Sequence, residues 1–251
     1  MSGVVGRIRQ AVGGSSFTRP MVRHLPASDR CKECAIPFTG PFSLPFQMVA
    51  IRRSRKNPHM CTLCYEYAPP GGEVHAVTVL FVDVRGFTTL SEQMGPAELA
   101  ARLNRFYWLA TDAVFRFDGT LDKLVGDEVM AFFGSPFHVD DHPHRAVSAA
   151  RAILEGMAQQ EPSLHLPVGA GIATGEAFVG NVGRDDVKDF TVLGDVVNTA
   201  ARLQAEAAPG ELIMTEETYA HVSKEFPDAE PRTLELKGKS RPVGVRSAKL
   251  W

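Results

Sequence analysis

With 251 residues, 44% of them hydrophobic, the chain has enough apolar material for one large domain, or a medium domain with an appendage, built round a buried core. No stretch approaches the roughly 18–20 consecutive apolar residues of a membrane helix, and the opening MSGVVGRIRQ lacks the apolar h-region of a signal peptide, so the expectation is a cytoplasmic protein with no membrane span. The net charge of −2 conceals a split: residues 1–65 hold ten of the 27 Lys and Arg and only two acids, Asp29 and Glu33, which leaves 17 basic and 27 acidic residues for the rest. A basic head precedes an acidic body. Such a head suits an anionic surface or, more plainly, docking on an acidic neighbour.

All four cysteines lie in that head, as Cys31, Cys34, Cys61 and Cys64, two CxxC pairs separated by 26 residues. The pattern suits a structural Zn²⁺ held by four thiolates in a zinc-ribbon-like module, residues 1–68; an iron–sulfur or redox role is the alternative, and His59 is read as a bystander. In a reducing compartment the thiols stay free. A region with so few core residues would need its metal to fold. The run Ala68, Pro69, Pro70, Gly71, Gly72 breaks both helix and strand and is placed as the linker to a second domain, residues 69–251.

Beyond the linker, AVTVLFVDV (76–84) reads as a buried strand ending at an acid, and FTTLSEQM as a short helix. Pro96 suits the first turn of a longer helix, with Leu99, Leu103, Phe106, Tyr107, Ala110 and Val114 along one core-facing stripe. TLDKLVGDEVMAFFG (120–134) reads as two strands joined at Gly126 and Asp127. HPHRAVSAARAILEGMAQQ is an amphipathic helix, VGAGIATGEAFVGNVG a strand pair bending near Gly175, and DVVNTAARLQAEAA a helix with Asp195 as N-cap or first-turn acid. Strands near 211–214, 232–236 and 244–249 close an α+β fold, a mostly antiparallel sheet covered by helices.

Asp83 at a strand end and Asp127 in a Gly-Asp turn would, if they met across neighbouring strands, form a hard-oxygen site for Mg²⁺ or Mn²⁺. The local alternative is a helix cap for Asp83 and a turn residue for Asp127. An EF-hand around Asp118, Gly119, Asp122 and Asp127 fails on spacing.

FVDVRGFTTLSE, KLVGDEVMAFFG, GIATGEAFVGNVG and LGDVVNTAARL together resemble, in order and spacing, the class III adenylate and guanylate cyclase catalytic domain, whose sheet is ferredoxin-like. The resemblance implies a head-to-tail homodimer with shared active sites. It implies two Mg²⁺ or Mn²⁺ ions per site on Asp83, Asp127 and the carbonyl of Val84, with the turn from Arg85 through Phe87 to Thr88 offering backbone N–H groups to the triphosphate. Lys123 and Thr191, from the other subunit, match base-reading positions; Asn198 would orient the ribose, Arg202 stabilise the transferring phosphate, and Lys237 hold the outer phosphates. Arg202 follows Asn198 by four residues, so a helix puts both on one face. Lys123 and Asp127 sit too close in sequence to serve opposite ends of one nucleotide, which a symmetric dimer resolves.

The Lys123 ammonium can donate to adenine N1, and the Thr191 hydroxyl can accept from the exocyclic amine, whereas guanine presents a donor at N1. Guanylate cyclases of the family use Glu and Cys at these positions, and the Lys and Thr pair resembles the subgroup that includes bicarbonate-responsive enzymes. ATP is therefore the expected substrate and cyclic AMP the product. The alternatives are a catalytically silent or guanylate-specific nucleotide-binding signalling domain. The basic head would contact a regulatory partner; it lacks an aromatic surface for reading nucleic acid.

Overall fold

Cysteine spacing organises the N-terminal part of the chain. A computed structural model describes residues 22, 24–66, 70–135, 139–184, 187–239 and 241–251. Arg7, Arg9, Arg19 and Arg23 of the basic head, and Ala68 and Pro69 of the expected linker, lie outside these. The described residues form two compact units, one drawn from 1–72 together with 180–191, the other from 73–179 and 192–251.

In the smaller unit a 3-10 turn (Pro41–Ser43) leads into α1 (Leu44–Met48), and α2 (Thr62–Tyr65) starts directly after Cys61. Two isolated bridges, Arg30 with Pro37 and Arg53 with Cys61, frame the cysteine pairs. Ile36, Ile51, Met60, Leu63 and Tyr65 are buried beside them.

Most residues of an eight-stranded sheet fall in the larger unit, while Gly71 and Gly72 of β1 and the described residues of β4 and β5 within 180–191 fall in the smaller. The elements after α2 are β1 (Gly71–Val84), α3 (Phe87–Gln93), α4 (Pro96–Arg116), β2 (Thr120–Val125), β3 (Glu128–Phe133), α5 (His142–Ala158), β4 (Val168–Arg184), β5 (Val187–Leu193), α6 (Asp195–Glu206), β6 (Glu211–Thr215), α7 (Glu216–Val222), β7 (Glu230–Leu234) and β8 (Val243–Lys249). Strand order is β2-β3-β1-β4-β6-β8-β7, with β5 paired to β4. β1 with β3, β2 with β3, β6 with β8 and β7 with β8 run antiparallel, and β4 with β6 parallel. The expected helix-covered α+β sheet is thus present.

Residues 77–82 of β1 are buried without alternation, as a strand covered on both faces requires. α4 begins with Pro96 at its first position, carries Glu98 in the first turn and Arg116 in the last, and buries Phe106, Ala110 and Val114 from its predicted stripe. These pack with Leu80, Val82, Phe133, Ile153 and Leu154 into one core, where each large side chain removed from water stabilises the fold by about 1.5–3 kcal/mol.

One expectation is corrected. Residues 168–184 form one continuous strand, not a pair bent at Gly175; a Cβ at Gly175 would meet only ordinary contacts, with Val196 at 3.5 Å. The left-handed glycine of this region is Gly183, at φ +129, where β4 nears its end before β5, a strand that sequence reading passed over. The N-cap of α6 is Gly194, and Asp195 is its first-turn acid.

α6 lies very close to the sheet. A Cβ on Gly171 would fall 2.1 Å from the amide nitrogen of Gln204 and 2.5 Å from the carbonyl oxygen of Ala200, so only glycine allows the approach.

Candidate active site

Asp83 and Asp127 meet because β1 and β3 pair in a register that sets Asp83 opposite Glu128, the residue after the turn. Gly126, at φ +61, makes that turn, and the Tyr107 hydroxyl donates to its carbonyl. The Val84 amide donates to the carbonyl of Asp127 at 3.3 Å, which ties the strand end to the turn. Burial first, and then the charge of Asp83, pushes the Asp127 carboxyl up to about 6. Burial and the charges of Asp83 and Asp127 likewise raise Glu128. Carboxyl groups drawn together against their repulsion are a donor set that a hard divalent cation would relieve, so the pair fits Mg²⁺ or Mn²⁺.

The Arg85 side chain, given no role by sequence reading, reaches from this site to α6. Its Nη2 lies 3.0 Å from Asp83 Oδ1. Its Nη1 donates to the carbonyls of Gln204 and Ala205, at 3.2 and 3.3 Å, at the C-terminus of α6. One guanidinium therefore caps α6 and balances Asp83. Its sequence signal was a basic residue two places after the strand-end acid.

α6 carries Asn198 exposed and Arg202 half-buried, four residues apart. Lys237 is exposed on the turn that follows β7, and that turn runs beside Arg202: a Cβ on Gly238 would lie 3.2 Å from Arg202 Nη2. Lys239 holds the turn through an ion pair with Asp195, a contact no sequence pattern announced. Phe87 opens α3 and packs against the main core, while Thr88 is exposed.

Lys123 stands on β2 with its ion pair not to the aspartate pair but to Asp122, Nζ to Oδ2 3.1 Å. Neighbours in a regular strand point to opposite faces, so such a pair is out of reach there. Here the β2–β3 register shifts between Leu121 and Lys123, and this bulge accompanies the meeting of the Asp122 carboxylate, buried, with the half-exposed ammonium. Thr191 is buried on β5 and belongs to the smaller unit.

In that unit the sulfur atoms of Cys31, Cys34, Cys61 and Cys64 all lie within 4.8 Å of one another, with Cys34 and Cys61 at 3.5 Å. No disulfide joins them. Tetrahedral Zn–S bonds of about 2.3 Å need sulfurs about 3.8 Å apart, so the cluster fits zinc. The hydrogen bond with Cys34 leads the effects that lower the Cys31 thiol, and that with Cys31 leads those that raise Cys34 and Cys64.

Residues 71–246 match the model of the adenylate and guanylate cyclase catalytic domain. An uncharacterized Mycobacterium tuberculosis protein, Rv1318c, is 34% identical over 177 residues, 69% of this chain. The chain spans only about a third, 32%, of that relative's length. The crystal structure of the adenylyl cyclase CyaB from P. aeruginosa is 34% identical, with a TM-score of 0.61 over 70% of this chain and 95% of that one. That of the guanylyl cyclase Cya2 is 28% identical, with a TM-score of 0.64 over 70% of this chain and 93% of that one. No described helix is long and apolar enough to cross a membrane. From motifs, fold and these matches, the chain belongs to the class III adenylate and guanylate cyclase family and carries its nucleotide cyclase catalytic domain within residues 71–246.

Proposed function

We propose that this chain is an adenylate cyclase, which converts ATP to 3′,5′-cyclic AMP and pyrophosphate as a homodimer with shared sites. The observation that carries the reading is the meeting of the Asp83 and Asp127 carboxyl groups at the β1 end and the β2–β3 turn. Two Mg²⁺ or Mn²⁺ ions, held there with the Val84 carbonyl, would activate the ribose 3′-oxygen and neutralise the leaving pyrophosphate.

The remaining roles fall to the chain's own side chains. Asn198 orients the ribose. Arg202, one helical turn on, stabilises charge on the α-phosphate as the 3′-oxygen attacks it. Lys237, on the turn beside Arg202, holds the outer phosphates, and the backbone from Arg85 to Thr88, including Phe87, lines their path. Lys123 donates to adenine N1, and Thr191 accepts from the exocyclic amine. Similar structures include both an adenylyl and a guanylyl cyclase, so the choice of ATP rests on these two residues. The four cysteines hold a structural Zn²⁺ in a module of residues 1–68, joined to a catalytic domain of residues 69–251. This module offers a regulatory partner its basic surface.

The test is to incubate the purified chain with ATP or GTP and Mn²⁺ or Mg²⁺ and to identify the product. Cyclic AMP from ATP is expected; cyclic GMP alone overturns the base assignment, and no cyclic nucleotide overturns the enzyme. Lys123→Ala should lower kcat/KM for ATP by roughly 10- to 100-fold, the range set by losing one charged hydrogen bond. Mixing Asp83→Ala with Lys123→Ala chains should restore one intact site per heterodimer. Absence of recovery counts against sites shared between subunits.

A further inference from the structure

The smaller unit contains both the cysteine cluster and residues 180–191, the stretch of β4 and β5 that ends at Thr191. Cys64 lies within α2, and the next residue, Tyr65, is fully buried, its amide donating to the carbonyl of Cys61 at 3.2 Å. The Tyr65 ring stacks on Phe190 with centroids 3.9 Å apart and planes at 29°. Its carbonyl accepts from Asn181 Nδ2 on β4 at 3.1 Å. Lys56, on the loop that runs into Cys61, donates from Nζ to the carbonyl of Phe190 at 2.8 Å and pairs with Asp189 Oδ1 at 2.5 Å. That loop is itself ordered: Ser54 N–H donates to the Met60 carbonyl at 2.8 Å, and Met60 N–H to that of Asn57 at 3.0 Å.

The Phe190 carbonyl belongs to the peptide plane whose nitrogen is that of Thr191. A planar peptide passes its orientation directly to the next Cα. Successive strand residues point to opposite faces, so the ring held by Tyr65 fixes one face and Thr191 stands on the other. The ring contact at Phe190 and the Lys56 ammonium held at its carbonyl therefore constrain the backbone from which the Thr191 side chain projects.

We propose that Lys56 and Tyr65 are positioning residues for purine recognition, and that the four-cysteine module thereby supports Thr191, so that opening the cysteine cluster weakens nucleotide affinity. This rests on the reading that Thr191 contacts the base. It gives the module a part in substrate selection, where a purely structural appendage would have none.

The test uses the full chain, with nucleotide affinity and steady-state kinetics measured for Lys56→Met, Tyr65→Ala, Tyr65→Phe and Thr191→Ala. Zinc content is checked for each. Lys56→Met and Tyr65→Ala should raise KM for ATP about tenfold while kcat stays within about twofold, as expected when ground-state binding is lost. Tyr65→Phe keeps the ring and should behave as the parent. In nucleotide-free protein, chelating the metal should speed amide hydrogen exchange at Phe190 and Thr191. If Thr191→Ala changes neither KM nor the preference for ATP over GTP, the base assignment fails and the proposal with it. If Thr191→Ala raises KM but Lys56→Met, which leaves the cysteine cluster intact, does not, the coupling alone is refuted. Should Tyr65→Ala lose its zinc or fail to fold, Lys56→Met and the exchange measurement decide the matter.

Discussion

The two units reach stability by different routes. In the smaller one the buried Ile36, Ile51, Met60 and Tyr65 accompany four sulfurs that converge from two distant CxxC pairs. In the larger one the main cluster runs from Leu80 on β1 through Phe106 on α4 to Met157 on α5, and a second gathers Leu203, Ile213 and Val245. A metal on the four sulfurs, as proposed, would concentrate stability at one point, whereas a core spreads it over many contacts. The same contrast appears in function. The cysteine cluster can be read from spacing, whereas the contacts that orient a side chain such as Arg85 depend on the whole packing.

The largest expected effect breaks the first half of that comparison. Zinc binding to small sites of this kind supplies folding free energy on the order of 10 kcal/mol. A strong chelator, or replacement of Cys31 and Cys34 by Ser, should therefore unfold the smaller unit, while circular dichroism of the larger one persists to a separate melting transition. A single cooperative loss of both would show that the units are not independent. Next, Phe106→Ala, at a fully buried position, should lower the stability of the larger unit by about 3–5 kcal/mol in denaturant titrations. Zinc content should be unaffected.

Asp83→Asn separates chemistry from folding. If Asp83 binds metal as proposed, its loss should reduce turnover by roughly a thousandfold, about 4 kcal/mol. The melting temperature of the metal-free protein should stay level or rise, because the repulsion felt by Asp127 is relieved. A fall would mean that Asp83 holds the fold chiefly through Arg85. The smallest effect concerns His142, which is buried, shares a hydrogen bond with Thr78 Oγ1 at 2.8 Å, and has its pKa lowered by burial and then by His221 and His75, against Asp140 and Asp141, which raise it. Below its ordinary value of 6.5 the unfolded chain binds a proton that the folded chain does not. Stability should therefore decline as pH falls through that region, and a His142→Gln variant should show less of the decline in melts from pH 7.5 to 5.5.

Much of the fold was legible because its signals are periodic or covalent. The stripe from Leu99 to Val114, Pro96 at a helix start and the Gly126–Asp127 turn each follow from local chemistry, and α4 and the β2–β3 hairpin form where they predict. β4 departs from the expected pair because its glycines do not interrupt it; Gly175 is absent from the positive-φ glycines and sits within one continuous strand. For the site, residue types at motif positions were readable, but their supports were not. Arg85 reaches across to residues 204 and 205, Lys239 to Asp195, and Lys56 to Phe190. Each contact spans a sequence separation that no motif covers. Asp122 was adjacent to Lys123 all along, yet its pairing accompanies a bulge that only the strand register reveals.

The bare surface at Gly171 bears on how this protein tolerates change. Asn198 and Arg202 ride on a helix whose height above the sheet is set by the absence of a methyl group there. An alanine at position 171 would push that helix outward and carry both side chains with it, although it touches neither. A mutational scan scored by product formation would then mark a position remote from the chemistry as intolerant. The error would lie in taking a spacer for a participant.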